Sequence, residues 1–171
     1  VYERRGYGSS TAITLPREHD YHEQEGKLWL PRLLEELDLK QVILIGHSDG
    51  GSIALVGASV IPHKVVGLVA IAAHIYVDHL TQGGILEAIE CYQTTDLRKR
   101  LARYHGERTD LLFRAWVELW LDESFQNSLN LRPWLSGIKC PALIMQGVND
   151  SYGLPQQVRD IVKGIGPLAT S

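Results

Sequence analysis

The stretch Gln41–Gly51, "QVILIGHSDGG", decides how this chain is read. Its β-branched run Val42–Ile45 predicts a short buried strand. The strand runs into Gly46-His47-Ser48-Asp49-Gly50, a glycine-x-serine-x-glycine pattern, and "SIALVGASVI" follows with helical length and small residues. A serine set between a strand and a helix predicts a tight turn that lifts its hydroxyl clear of the sheet. A β-carbon at Gly46 or Gly50 is expected to collide with nearby backbone. The helix then aims its N-terminus at the serine, where free N–H groups favour a developing oxyanion. The backbone N–H of Asp49 is the expected oxyanion donor. The plainer reading is that Ser48 caps a helix and nothing more.

A serine hydroxyl is a poor nucleophile without a base to take its proton and a carboxylate to orient that base. "CPALIMQGVNDSYG" offers the carboxylate: a buried strand, Gly147 for the turn, then Asp150. Parallel strands present their C-terminal ends together, so Asp150 is delivered to the same sheet edge as Ser48. The competing reading is an aspartate that only caps a turn.

Around these motifs the pattern alternates. "KLWLPRLLEELDL" repeats leucines at helical spacing, with Pro31 predicting a kink or a helix start. Pro62 stops the helix after the serine, and "KVVGLVAIAA" is a second buried strand. From His74 to about Gly137 the chain reads as helical, with stripes at Leu97, Leu101 and Tyr104 and at Leu112, Trp116, Leu119 and Trp120. "PQQVRDIVKGI" is a further helix, and "GPLATS" begins another strand. Val1 and Tyr2 read as the tail of a strand entering the loop "RRGYGSST". Strands apolar on both faces and alternating with helices predict an α/β fold with a mostly parallel sheet, flanking helices and a helical insertion.

Bulk properties narrow the function classes. At 171 residues and 44% apolar composition, one globular domain is expected. A net charge of -3 gives no attraction to nucleic acid or to an anionic membrane. The longest apolar run, Val65–Ala73, falls far short of the roughly 20 residues of a membrane span. Cys91 and Cys140 read as thiols of a reducing compartment, so a cytoplasmic location is expected. His19 and His22, with Glu23, are read as loop residues; their H-x-x-H spacing lacks further ligands, and no metal or cofactor is expected.

Three motifs together resemble the α/β-hydrolase superfamily, and within it the bacterial esterase and C–C-hydrolase branch. "ERRGYGSS" (Glu3–Ser10) is similar to the D-x-R-G-x-G-x-S loop after the family's fourth strand, "GHSDGG" to the elbow after the fifth, and "PALIMQGVND" to the acid loop after the seventh. The resemblance implies Ser48 as nucleophile and Asp150 as the acid of a Ser-Asp-His triad. It makes residues 75–137 a helical cap over a core formed by 1–74 and 138–171. Glu3 departs from the family's aspartate and is read as structural. The triad histidine belongs after Asp150, where this sequence has none, and the second oxyanion donor belongs before residue 1. The chain therefore reads as a fragment carrying an incomplete α/β-hydrolase fold, with a degenerate, non-catalytic member as the rival. The strand leading to Ser48 is then expected at an exposed sheet edge.

Of the remaining histidines, His47 is expected to pack under the elbow, and His63 and His105 to be solvated. His74 is expected to contact substrate, as are Trp116, Trp120 and Tyr152. The aromatic residues of 75–137 predict a pocket for an apolar acyl or ring group of a small-molecule substrate, unless they only hold the helices together. The function expected is hydrolysis of a carboxylic ester, lactone, thioester or C–C bond, against a non-catalytic ligand-binding protein of the same fold.

Overall fold

The computed structural model describes residues 1–12 and 15–171. Its four strands are β1 (Val42–His47), β2 (Val65–Ile71), β3 (Ala142–Met145) and β4 (Ala169–Thr170), all parallel and in spatial order β1-β2-β3-β4. His47 pairs with Ile71 and Ile71 with Met145, so the C-terminal ends of three strands meet at one edge. That register brings the loops bearing Ser48 and Asp150 to the same edge, as the motif order predicts.

The helices preceding β1 are α1 (Tyr21–Gln24), a π-helical turn (Glu25–Trp29) and α2 (Leu30–Glu36). Helix α3 (Asp49–Val60) follows Ser48, and α9 (Gln156–Ile165) connects β3 to β4. Between β2 and β3 lie α4 (His79–Thr94), α5 (Leu97–His105), α6 (Thr109–Leu121), α7 (Glu123–Ser128) and α8 (Arg132–Leu135). Among the described residues no helix is long and apolar enough to cross a membrane.

The core joins α3 to the sheet through Leu55, Val56, Leu68, Ala70 and Ile144, all at most 2% exposed. Leu135, Ile138 and Ile161 extend it under α8 and α9. The opposite sheet face is open: Ile43 and Ile45 are 63% and 71% exposed, and Leu143 and Met145 are also exposed. Among the described residues β1 pairs only with β2, so the elbow strand is an edge of this sheet, as expected. Val1 and Tyr2, expected as a strand tail, join no ladder, because no described strand offers them a partner.

The helical run begins earlier than the leucine spacing indicates. His22 lies in α1, not in a loop, and is fully buried, as is most of Glu25. Polar side chains that find partners inside a fold carry no hydropathy signal. Pro31 follows the π-helical turn directly, inside a helical run continuous from Tyr21 to Glu36, so the widened turn stands where proline cannot donate to the helix. Gly26, in that turn, lies so close to α3 that an added β-carbon would stand 2.6 Å from Val56 Cβ. Gly26→Ala is therefore expected to destabilise the fold by about 1–3 kcal/mol, although alanine is the better helix former. Thermal unfolding of the variant checks this; an unchanged or raised midpoint contradicts it.

Candidate active site

Ser48 has φ 53° and ψ −125°, backbone angles that only glycine adopts without cost. Such a conformation costs of order 1–3 kcal/mol and persists where the surroundings enforce it. Here they do: Ser48 N–H donates to Ile71 O at 2.8 Å, and Ser48 O accepts from Gly51 N–H and Ser52 N–H at 2.8 and 3.1 Å. The residue is clamped between the β2 ladder and the first turn of α3. Among the described residues neither Ser48 Oγ nor Asp49 N–H has a hydrogen-bond acceptor. Asp49 N–H is thus left free at the N-terminus of a 12-residue helix.

The tight approach is at Gly46, where a β-carbon would lie 2.1 Å from Gly50 O. Gly50, expected to be equally constrained, has open space around its Cα; the second crowded position is Gly51, 3.0 Å from Ala73 Cβ. The chain crosses itself between residues 46 and 50, so one bare Cα at the crossing suffices.

Ser48 lies on the wall of a cavity of about 620 Å³. Arg4, Tyr7 and His47 also line it; Leu101, Leu112, Phe113 and Trp116 of the helical insertion, with Tyr152, give it apolar lining. Tyr92 stacks on Phe113 from behind at 3.8 Å. Trp116 and Tyr152 therefore stand where a substrate contact was expected. Trp120 and His74 do not. Trp120 is 3% exposed and packs edge-on against Phe125 and His74, as a core residue. Tyr104, expected in the inner stripe with Leu97 and Leu101, is 73% exposed.

His74 is buried rather than on the cavity wall. Its Nε2–H donates to Tyr152 O at 2.8 Å, and its backbone exchanges hydrogen bonds with Ser52 Oγ. It ties the end of β2 to the loop after Asp150. Asp78 shares this work: one carboxylate oxygen caps α4 through Leu80 and Thr81, and the other accepts from Leu154 N–H and Gln157 Nε2 at 3.0 Å. Asp150 itself accepts from Tyr152 N–H at 2.8 Å, an Asx turn that holds its carboxylate at the strand end.

A buried charge cluster supports the elbow. Asp49 accepts from Arg4 Nη2 and from His22 Nε2, each at 3.2 Å. A carboxylate cannot donate, so the His22 proton is on Nε2, and its buried Nδ1 has no partner. Burial pushes the His22 ring towards its neutral form against the pull of Asp49. Burial alone would raise the Asp49 carboxyl, but the His22 hydrogen bond and the Arg4 charge outweigh it and hold the group well below the usual carboxylate range. Tyr21, Trp120 and Phe125 enclose the His22 ring. His19, three positions before His22, points elsewhere, 3.5 Å from Asp122.

The loop Arg4–Ser10 is held by both sides. Glu3 accepts from Ser9 N–H and Ser9 Oγ at 2.7 Å, which gives the carboxylate a structural task. Arg108 donates to the carbonyls of Gly6, Gly8 and Ser10, and His105 Nδ1 accepts from Gly8 N–H at 3.2 Å. His105 and His47 both line the cavity, contrary to the expectation of a solvated residue and of one packed under the elbow. His47 is exposed because it alternates with Gly46, whose bare face points inward.

A model of the family described as alpha/beta hydrolase fold matches residues 1–83, which contain the Glu3–Ser10 loop and the elbow. The human serine hydrolase BPHL is 30% identical over 158 residues, covering 88% of this chain and 52% of that protein. An (E)-2-((N-methylformamido)methylene)succinate hydrolase of Acinetobacter baylyi is 27% identical over 161 residues, covering 85% of this chain and 59% of that protein. Over most of its length the chain is similar to proteins of the α/β-hydrolase superfamily. An α/β fold family hydrolase from Bacillus anthracis superposes on 98% of the chain and 70% of its own length, with TM-score 0.68 at 18% identity. The chain spans between half and three fifths of the curated relatives it matches. The candidate site lies at the C-terminal ends of its parallel strands.

Proposed function

We propose that the protein carrying this chain is a serine hydrolase of carboxylic esters or related acyl bonds, with Ser48 as nucleophile. The observation that carries this reading is the strained Ser48 backbone beside the free Asp49 N–H, on the wall of a cavity. The strain has no stabilising return in the fold; it exposes a hydroxyl next to an anion-binding helix terminus.

In the proposed reaction Ser48 Oγ bonds to the substrate carbonyl carbon while a histidine takes its proton. The carbonyl oxygen becomes an oxyanion and accepts from Asp49 N–H. The histidine returns the proton to the leaving alcohol, and water then releases the acid from Ser48. Asp150 is assigned the orienting carboxylate. None of the seven histidines follows Asp150, so the base is assigned to residues outside these 171. Residues 75–137 are assigned as the cap, since Leu112, Phe113 and Trp116 line the same cavity as the serine. A volume near 620 Å³ with these walls suits a small molecule with an apolar acyl or ring group. That both curated relatives bear hydrolase names supports the same class.

A fluorophosphonate probe tests the reading. Incubated with the protein bearing this chain and its histidine, the probe should leave its phosphonyl adduct on the peptide containing Ser48. Absence of the adduct from a folded protein, or an adduct elsewhere only, favours a non-catalytic binding role instead.

A further inference from the structure

The histidine at the end of α5 is placed for a task that the triad does not use. His105 lies on the wall of the cavity that Ser48 and the apolar α6 residues Leu112, Phe113 and Trp116 also line. Its Nδ1 is 3.2 Å from Gly8 N, and a backbone amide only donates. Nδ1 must therefore be the unprotonated nitrogen, and the ring, neutral in this contact, carries its proton on Nε2. Among the described residues Nε2 has no hydrogen-bond partner, and it is not one of the buried unpaired nitrogens. A donor so placed is left to water or to a ligand.

The ring is also held still. Tyr7 packs against it with centroids 5.8 Å apart, and Arg108 clamps the carbonyls on both sides of Gly8. Burial and the Arg108 charge keep the ring towards its neutral form. The wall's formally charged residues among those described are Arg4 and Asp49, and they pair with each other. An anionic group thus finds no free cation there, whereas an uncharged oxygen finds a fixed N–H.

We infer that His105 is a substrate-binding residue whose Nε2–H donates to an uncharged acceptor oxygen, a ketone, ether or hydroxyl oxygen, on the acyl part of the substrate. This selects oxygenated acyl groups over plain hydrocarbon chains of the same length. The inference rests on the hydrolase reading for the word substrate, but not for the binding itself.

Binding is therefore the test, read by tryptophan fluorescence because Trp116 shares the wall. The probes are methyl hexanoate and its 3-oxo, 4-oxo and 5-oxo analogues. At least one oxo ester should bind about 3- to 10-fold more tightly than methyl hexanoate, the worth of one hydrogen bond. His105→Phe should abolish the preference. His105→Gln, which puts an amide N–H near the Nε2 position, should keep it. His105→Asn, which retains an acceptor for Gly8 N–H but does not reach the cavity, should lose it. No preference in the unaltered protein overturns the inference, and so does a preference that survives His105→Phe. Preference kept by His105→Asn and lost in His105→Gln assigns the ring to holding the Gly8 loop alone. Hydrolysis of 4-nitrophenyl hexanoate by the protein bearing this chain and its histidine is measured in parallel: selective binding without any hydrolysis sinks the catalytic reading and leaves this one standing.

Discussion

Ser48→Ala should lower ester hydrolysis by about 10⁶-fold, the scale seen when a serine nucleophile is removed from a triad that acts as a unit. Its effect on folding should be small, because Ser48 Oγ makes no hydrogen bond among the described residues and alanine bears the same strain at φ 53°. Ser48→Gly separates the two roles of the position. It too should be inactive, yet more stable than the unaltered protein by roughly 1 kcal/mol. Glycine releases a strain of order 1–3 kcal/mol and gives back part of it through its freer unfolded chain. Urea titration of the three proteins, with initial rates on a 4-nitrophenyl ester, measures both effects. A Ser48→Gly protein no more stable than Ser48→Ala would mean that the elbow stores no strain. An Ala variant of ordinary activity would remove Ser48 from the chemistry.

Asp49→Ala should cost about 3–5 kcal/mol of folding stability, because it leaves the Arg4 guanidinium without its ion partner in a mostly buried site. The same change withdraws the acceptor of His22 Nε2, stranding a second polar group in the core. Arg4→Met combined with Asp49→Leu should recover part of the loss, since apolar groups of similar volume need no partners. Denaturant midpoints at constant slope measure these differences. A loss under 1 kcal/mol in Asp49→Ala would show the cluster to be well hydrated.

Acid should weaken the same cluster in two stages. His22 is held below its ordinary value, so the unfolded chain takes up its proton first, and stability falls as pH drops below about 6.5. Asp49 is also held below its ordinary value, so its share is present above about 3.9 and is lost as pH falls further towards its folded value. Asp49→Ala should remove the second stage; an unchanged acid limb in that variant would locate the titration elsewhere.

Local pattern carried the elements whose residues act through period and spacing. β1, α3, β2, β3 and α9 follow from β-branched runs, helical stripes and prolines, and their parallel order places Ser48 and Asp150 at one edge. The same reasoning misplaced residues whose environment is supplied from far along the chain. His22 is polar yet fully buried because Asp49, 27 residues later, accepts a hydrogen bond from its Nε2–H. His74 was expected in the pocket and instead binds Tyr152 O, 78 residues away. Trp116 and Trp120 lie one turn apart on the same side of α6, but the turn nearer the core buries Trp120 and the other leaves Trp116 on the cavity wall.

By itself, then, the sequence determined the α/β class, the elbow and the sheet edge at which the loops of Ser48 and Asp150 meet. These rest on short-range rules: the period of a strand or helix, the bare Cα needed where residues 46 and 50 cross, and the family order of three motifs. Only the tertiary structure decided that Arg4 and His22 hold Asp49, that His105 joins the cavity wall, and that His74 does not. Those are pairings between distant residues, and a hydrogen bond leaves no periodic trace of its partner in the chain.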